Sequence, residues 1–197
     1  MSTILFHDVE TSGLPNWKVP SDDPSQPHLI EVAAVLCDED SREIIATINT
    51  LVKPEEFEIS DEITELTGIT TDEAMSFGVS EQEAVEMLLA MRGDTRIAHN
   101  RTFDQRMIRI ALKRYFDADA VDKWAEKDDF LCTMLMAKPI MQLPGSRGYK
   151  NPKLSEAYAF FTGKELVGGH RAMADTMACM EVYFAIKDGV VDAVVNQ

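Results

Sequence analysis

Three short apolar segments fall within the first 52 residues, and polar or helix-breaking residues separate them. Residues 3–9 end near the turn signal Ser12-Gly13, residues 29–36 are almost wholly apolar, and residues 43–52 follow the polar turn Asp38-Glu39-Asp40. Runs of this length have the size of strands. Residues 14–28 hold Pro15, Pro20, Pro24, Pro27 and Asp22-Asp23. That composition excludes a helix or a central strand and predicts a long loop.

Helical spacing then takes over. Residues 59–67 predict a short helix stopped by Gly68. Ser80-Glu81-Gln82-Glu83 is a capping box, and Ala84, Val85, Leu88 and Leu89 give the next helix an apolar face up to Gly93. Residues 96–99 predict a short strand. Residues 103–116, 130–137, 154–161 and 172–187 predict helices, with a glycine-rich, basic loop over 144–152. No repeat, low-complexity tract or linker interrupts the chain, so one domain over residues 1–197 is expected. Strands first, then mixed strand and helix, imply an α/β sheet with helices packed on it.

The charge balance narrows the partners. Acidic residues number 34 against 19 basic, a net charge of −15. Such a surface repels nucleic acid and anionic membranes, so any nucleic-acid contact must come from a local basic patch or from bound metal ions. No apolar run approaches the roughly 18 residues of a membrane helix. Asp8 comes too early for a signal peptide, and Cys37, Cys132 and Cys179 have neither metal-binding nor disulfide spacing. A cytoplasmic protein with free thiols is the expectation.

The remaining signal is acidic. In the first strand, period-two alternation puts Asp8 and Glu10 on one face, with Ile4 and Phe6 behind them. Two adjacent carboxylates repel unless they share a hard divalent cation. In His99-Asn100-Arg101-Thr102-Phe103-Asp104, a strand ends and a helix begins, so Asp104 taken alone is an ordinary helix N-terminal acid. In His170-Arg171-Ala172-Met173-Ala174-Asp175, His170 follows Gly168-Gly169. Asp175 there adjoins an inward stripe of Ala172, Thr176, Cys179 and Tyr183, where an acid needs a partner or a metal.

Taken in order, Asp-x-Glu, His-Asn-x-x-Phe-Asp and His-x-x-x-x-Asp resemble the DEDDh branch of the DnaQ-like 3′–5′ exonucleases. Secondary matches are Thr11-Ser12-Gly13-Leu14, Ile30-Glu31-Val32-Ala33, Leu66-Thr67-Gly68-Ile69-Thr70 and Pro152-Lys153-Leu154-Ser155-Glu156. The resemblance implies a ribonuclease H-like mixed sheet of about five strands flanked by helices. It also implies two divalent ions, Mg²⁺ or Mn²⁺. Asp8 would bridge them, Glu10 and Asp175 would complete the tighter site, and Asp104 would serve the looser one through water. His170 would be the general base, a task that suits the ordinary imidazole pKa near 6.5.

The implied substrate is single-stranded DNA with a free 3′ end, released as 5′-mononucleotides. RNA is the alternative, because discrimination of the 2′-OH depends on pocket shape. A non-catalytic nucleic-acid-binding or scaffold domain should have lost one of the five residues, and this chain keeps all five. Thr11, Gly13 and Leu14 are expected to line the terminal pocket, beside His99, Asn100 and Phe103. Arg147, Tyr149 and Lys150 in the 144–153 loop are expected to meet the strand. Arg101, Arg106, Arg109, Lys113 and Arg114 are a second candidate phosphate patch, and Trp17 a second stacking ring. Two departures from the family pattern are the longer 17–28 loop and His7, expected to face away from Asp8. The chain stops at Gln197 soon after the last predicted helix, so no polymerase-tethering tail is expected.

Overall fold

The computed structural model describes residues 2–125 and 130–189. Strand β1 (Thr3–Thr11) pairs antiparallel with β2 (Leu29–Asp38), and β2 pairs antiparallel with β3 (Ile44–Leu51). Helices α1 (Asp61–Thr67), α2 (Thr71–Phe77) and α3 (Glu81–Ala90) follow. Strand β4 (Thr95–Ala98) then runs parallel to β1. After α4 (Arg101–Tyr115) and α5 (Ala118–Ala125), β5 (Phe130–Cys132) joins β4 in parallel. Helix α6 (Thr133–Met141), a small ladder of β6 (Pro144–Gly145) with β7 (Gly148–Tyr149), α7 (Leu154–Thr162) and α8 (Ala172–Lys187) complete the described chain. The main sheet is five-stranded and mixed, in the order β3-β2-β1-β4-β5.

Strand β1 occupies the centre because its side chains feed two apolar layers. Leu5 and Val9 join Ala84, Val85 and Leu88 of α3 and Met107, Ile108 and Leu112 of α4. Ile4 and Phe6, on the other face, pack with Cys179, Tyr183 and Phe184 of α8. The ring of Phe6 meets that of Tyr183 edge-on at 5.5 Å between centroids. Asp8 and Glu10 continue the row that faces α8. His7 points the other way, as expected, into a fully buried niche 5.6 Å from the Trp124 ring. Burial, helped by Arg96, lowers its pKa to about 3 and keeps it neutral.

Local expectations meet their caps. Gly68 takes a left-handed φ of 74° and donates its N–H to Thr64, ending α1. The Ser80 and Glu83 side chains each accept from the other's backbone N–H, starting α3. The 14–28 loop is held from within by Gln26, whose side chain accepts from Asn16 N–H at 3.0 Å and donates to Asn16 and Pro20 carbonyls at 2.9 Å.

One segment differs. Residues 130–137, expected as a single helix, begin as strand β5, and the helix starts at Thr133. The open edge of β4 claims Phe130 and Cys132 as partners of Arg96 and Ala98, and the Arg96 guanidinium lies 3.8 Å from the Phe130 ring centroid. Among the described residues no helix is long and apolar enough to cross a membrane.

Gly93 closes the turn before β4 tightly against β1: a Cβ there would stand 2.7 Å from the Leu5 backbone nitrogen. Gly93→Ala is expected to destabilise the fold by about 1–3 kcal/mol, read as a lower urea midpoint with an unchanged slope. An unchanged midpoint would mean that the turn yields without loss.

Candidate active site

The parallel pairing of β1 with β4 brings the end of β1 and the start of α4 to one edge of the sheet, where ligands gather in α/β folds. Asp8 and Glu10 are half-buried there. Asp104, in the first turn of α4, is 2% exposed, and its Oδ1 accepts from the Val9 N–H at 3.3 Å. Helix α8 supplies Asp175 from the opposite layer. One of its oxygens, Oδ2, accepts from the His170 N–H at 3.2 Å, while the buried Oδ1 has no hydrogen-bond partner. His170 is exposed, and its backbone is left-handed (φ 66°) directly after Gly168-Gly169. Ligand atoms of Glu10, His170 and Asp175 all lie within 4.8 Å of one another.

Burial and mutual repulsion act together on these acids. Asp8 is held well above the usual carboxylate range, first by burial and then by the charges of Asp104, Glu10, Asp175 and Glu31. Burial, then Asp175 and Glu31, push Glu10 up to about 8. Asp104 and Asp175 shift upward with burial as the leading cause. Crowded carboxylates with an orphaned buried oxygen among them form a hard-oxygen donor set, which a hard divalent cation fits.

A family profile described as exonuclease (RNase T) matches residues 5–183. The chain belongs to the RNase T exonuclease family. This agrees with the DnaQ-like exonuclease family that the motifs resemble, and the fold is the ribonuclease H-like mixed sheet expected. A DNA polymerase III PolC-type of Thermotoga maritima is 28% identical over 182 residues, 92% of this chain and 12% of the polymerase. The corresponding protein of Caldanaerobacter subterraneus is 28% identical over 179 residues, 91% of this chain and 11% of its own length. The chain therefore spans about an eighth of these polymerases. Among solved structures, one of exonuclease I superposes with a TM-score of 0.73 at 21% identity, covering 98% of this chain and 43% of that one. Escherichia coli exonuclease I in complex with a dA16 oligonucleotide superposes at 0.71, also at 21% identity, covering 98% and 42%.

Around the carboxylate cluster, the substrate residues expected from the sequence divide. Thr11 is buried and donates to the Gly13 carbonyl at 2.8 Å, and this turn presents Leu14, 83% exposed. Asn100 is exposed in a left-handed conformation and Phe103 packs on the core beside Asp104. Arg147, Tyr149 and Lys150 are exposed on and beside the β6–β7 ladder, although Lys150 is paired with Glu156 and the Tyr149 hydroxyl with Gln142.

His99 does not offer a free edge. Its ring nitrogens are taken by Thr133 Oγ1 at 3.0 Å and the Pro152 carbonyl at 3.1 Å, so it ties the 144–152 segment to β4. Most of the basic row on α4 is likewise internal. Arg101 donates to the Phe130 carbonyl, Arg106 to that of Val19, Lys113 to Asp22, and Arg114 to Glu81 and the Gln26 and Pro27 carbonyls. These side chains anchor β5 and the 14–28 loop, and Arg109 is left as the exposed cation of the row. Trp17 stands over Arg106, 5.6 Å from guanidinium to ring centroid.

Glu31 belongs to the secondary match Ile30-Glu31-Val32-Ala33, but the sequence assigned it no role of its own. It lies opposite Glu10 in the β1–β2 register and is 1% exposed. The signal was an acid inside the otherwise apolar run 29–36, where a carboxylate demands partners.

Proposed function

We propose that the chain is one exonuclease domain that hydrolyses single-stranded DNA from its 3′ end and releases 5′-mononucleotides, with two divalent cations, Mg²⁺ or Mn²⁺. The observation that carries this reading is the convergence of Glu10, His170 and Asp175 within 4.8 Å, beside the half-buried Asp8 and the buried Asp104. Asp8, Glu10 and Asp175 would hold one cation, and Asp8 and Asp104 the other. When bound, the cations neutralise the cluster and the phosphate, lower the pKa of water and stabilise the departing oxygen.

The protein's own part follows from placement. His170 is exposed, so its imidazole takes the proton of the attacking water and passes it to solvent. Asp175 fixes the backbone behind that ring by accepting the His170 N–H. The Thr11–Leu14 turn seats the terminal nucleotide, with Leu14 against its base. Arg147, Lys150 and Tyr149 meet the strand further on. The similarity to DNA polymerases and to an exonuclease complexed with dA16 favours DNA over RNA.

Digestion of 5′-labelled single-stranded DNA and RNA of one sequence, with Mg²⁺, with Mn²⁺ and with EDTA, tests the reading. The expected result is a metal-dependent ladder that shortens the DNA from its 3′ end and is absent from Asp175→Ala. A faster ladder on RNA would reassign the substrate, and no cleavage of either strand would overturn the reading. Separately, His170→Ala is expected to lower kcat by about 10²-fold, with Mn²⁺ affinity by calorimetry nearly unchanged. A matching loss of affinity would make His170 a ligand rather than the base.

A further inference from the structure

An ion pair between the buried Glu31 and the partly exposed Arg171 stands behind the site. The two oxygens of Glu31 accept from Arg171 Nε at 3.2 Å each, and Oε1 also accepts from Arg171 Nη2 at 2.9 Å. Oε2 takes a further bond, from the Ala172 N–H at 2.7 Å. Ala172 is the first residue of α8, and His170 lies two residues before it. Strand β2 thus grips the start of α8 by both side chain and backbone. The segment that depends on this grip holds itself poorly: Gly168, Gly169 and a non-glycine His170 at φ 66°. A left-handed backbone at His170 is strained, and two glycines in front of it resist nothing. The grip also engages both oxygens of the carboxylate that lies opposite Glu10.

We propose that Glu31 and Arg171 are positioning residues of the exonuclease. Their pairing holds the His170 imidazole in register with Glu10 and Asp175. The proposal rests on the reading of His170 as the base. Arg171 presents two donors in a fixed fork, which a lysine cannot reproduce.

The test is a cycle in the full chain: Arg171→Gln, Arg171→Lys, His170→Ala, and Arg171→Gln combined with His170→Ala. Arg171→Gln is expected to lower kcat by about 10²-fold through misplacement of the base, with KM for the oligonucleotide little changed. Arg171→Lys, which keeps the charge and loses the fork, is expected to recover only part of this. The double variant is expected to be about as slow as His170→Ala alone, because the clamp acts through the imidazole. In the metal-free protein, amide hydrogen exchange should quicken at residues 168–172 and not in β1 or β4. Losses that multiply in the double variant, or unchanged exchange at 168–172, would overturn the proposal. If Arg171→Gln does not fold, Arg171→Lys carries both readouts. An unaffected His170→Ala would instead remove the base itself, and the positioning role with it; that single variant separates the two failures.

Discussion

Asp8→Asn is expected to raise the melting temperature of the metal-free protein while lowering its exonuclease activity by roughly 10³-fold or more. The two effects share one cause. Asp8 is half-buried among Asp104, Glu10, Asp175 and Glu31, and without a cation its charge is opposed by desolvation and by every one of them. An amide of nearly the same shape removes that repulsion, for a gain of roughly 1–3 kcal/mol, or about 2–10 °C in a chain of this size. The same amide is a poor ligand for a hard cation, and in the proposed arrangement Asp8 would serve both ions, so each would lose an oxygen ligand. Activity is read from the 3′-shortening ladder and stability from thermal melts in EDTA. A melting temperature that falls would mean that Asp8 is satisfied by contacts within the protein. An active variant would remove Asp8 from the site.

That opposition of stability and function marks what was legible beforehand. Asp8 and Glu10 declared themselves by alternation in a strand whose other residues are apolar, and the register of β1 places them as that alternation requires. Asp175 was legible as an acid beside an inward helix stripe, and Ala172, Thr176, Cys179 and Tyr183 are indeed buried. Residues whose meaning depends on a partner far along the chain were not legible. Arg106 and Arg114 look like a phosphate-binding row on a helix, yet they hold carbonyls of a loop some 90 residues earlier. Charge type and spacing are the same for both uses, and only the packing of the 14–28 loop decides between them. His99 is similar, since its ring is spent on Thr133 and Pro152. Strand β5 is only three residues long and runs directly into α6, too short for a period-two pattern to emerge. Helix α2 did carry a signal, Thr70 three residues before Glu73, and the Thr70 hydroxyl accepts from the Glu73 N–H at 3.1 Å.

In EDTA, the melting temperature is expected to fall as pH rises from 5 to 8, and Mg²⁺ or Mn²⁺ is expected to restore it at pH 8 far more than at pH 5. The sign follows from the direction of the shifts. Glu10 is raised from an ordinary 4.5 to about 8, and Asp8 and Asp104 are raised as well. A carboxyl with a raised folded pKa favours the fold most below its ordinary value and loses that contribution as pH climbs to the folded one. For the half-buried Glu10 this is on the order of a few kcal/mol once solvent screening is allowed for, or roughly 5–10 °C. Glu81 runs the other way: its pKa is lowered against burial by His28, the Leu29 N–H and Arg114, so its contribution is lost only as pH falls below the usual glutamate range. It therefore does not mask a decline between pH 5 and 8. Cations bind the deprotonated acids and must displace protons at low pH, which confines their stabilising effect to the alkaline side. Glu10→Gln separates this cluster from the general repulsion of a chain with net charge −15: the variant should flatten much of the decline, whereas whole-surface repulsion would leave its slope intact. A wild-type melting temperature that is level or rising from pH 5 to 8 in EDTA would mean that the carboxylates are not crowded in solution, and the cation site inferred from their crowding would fall with it.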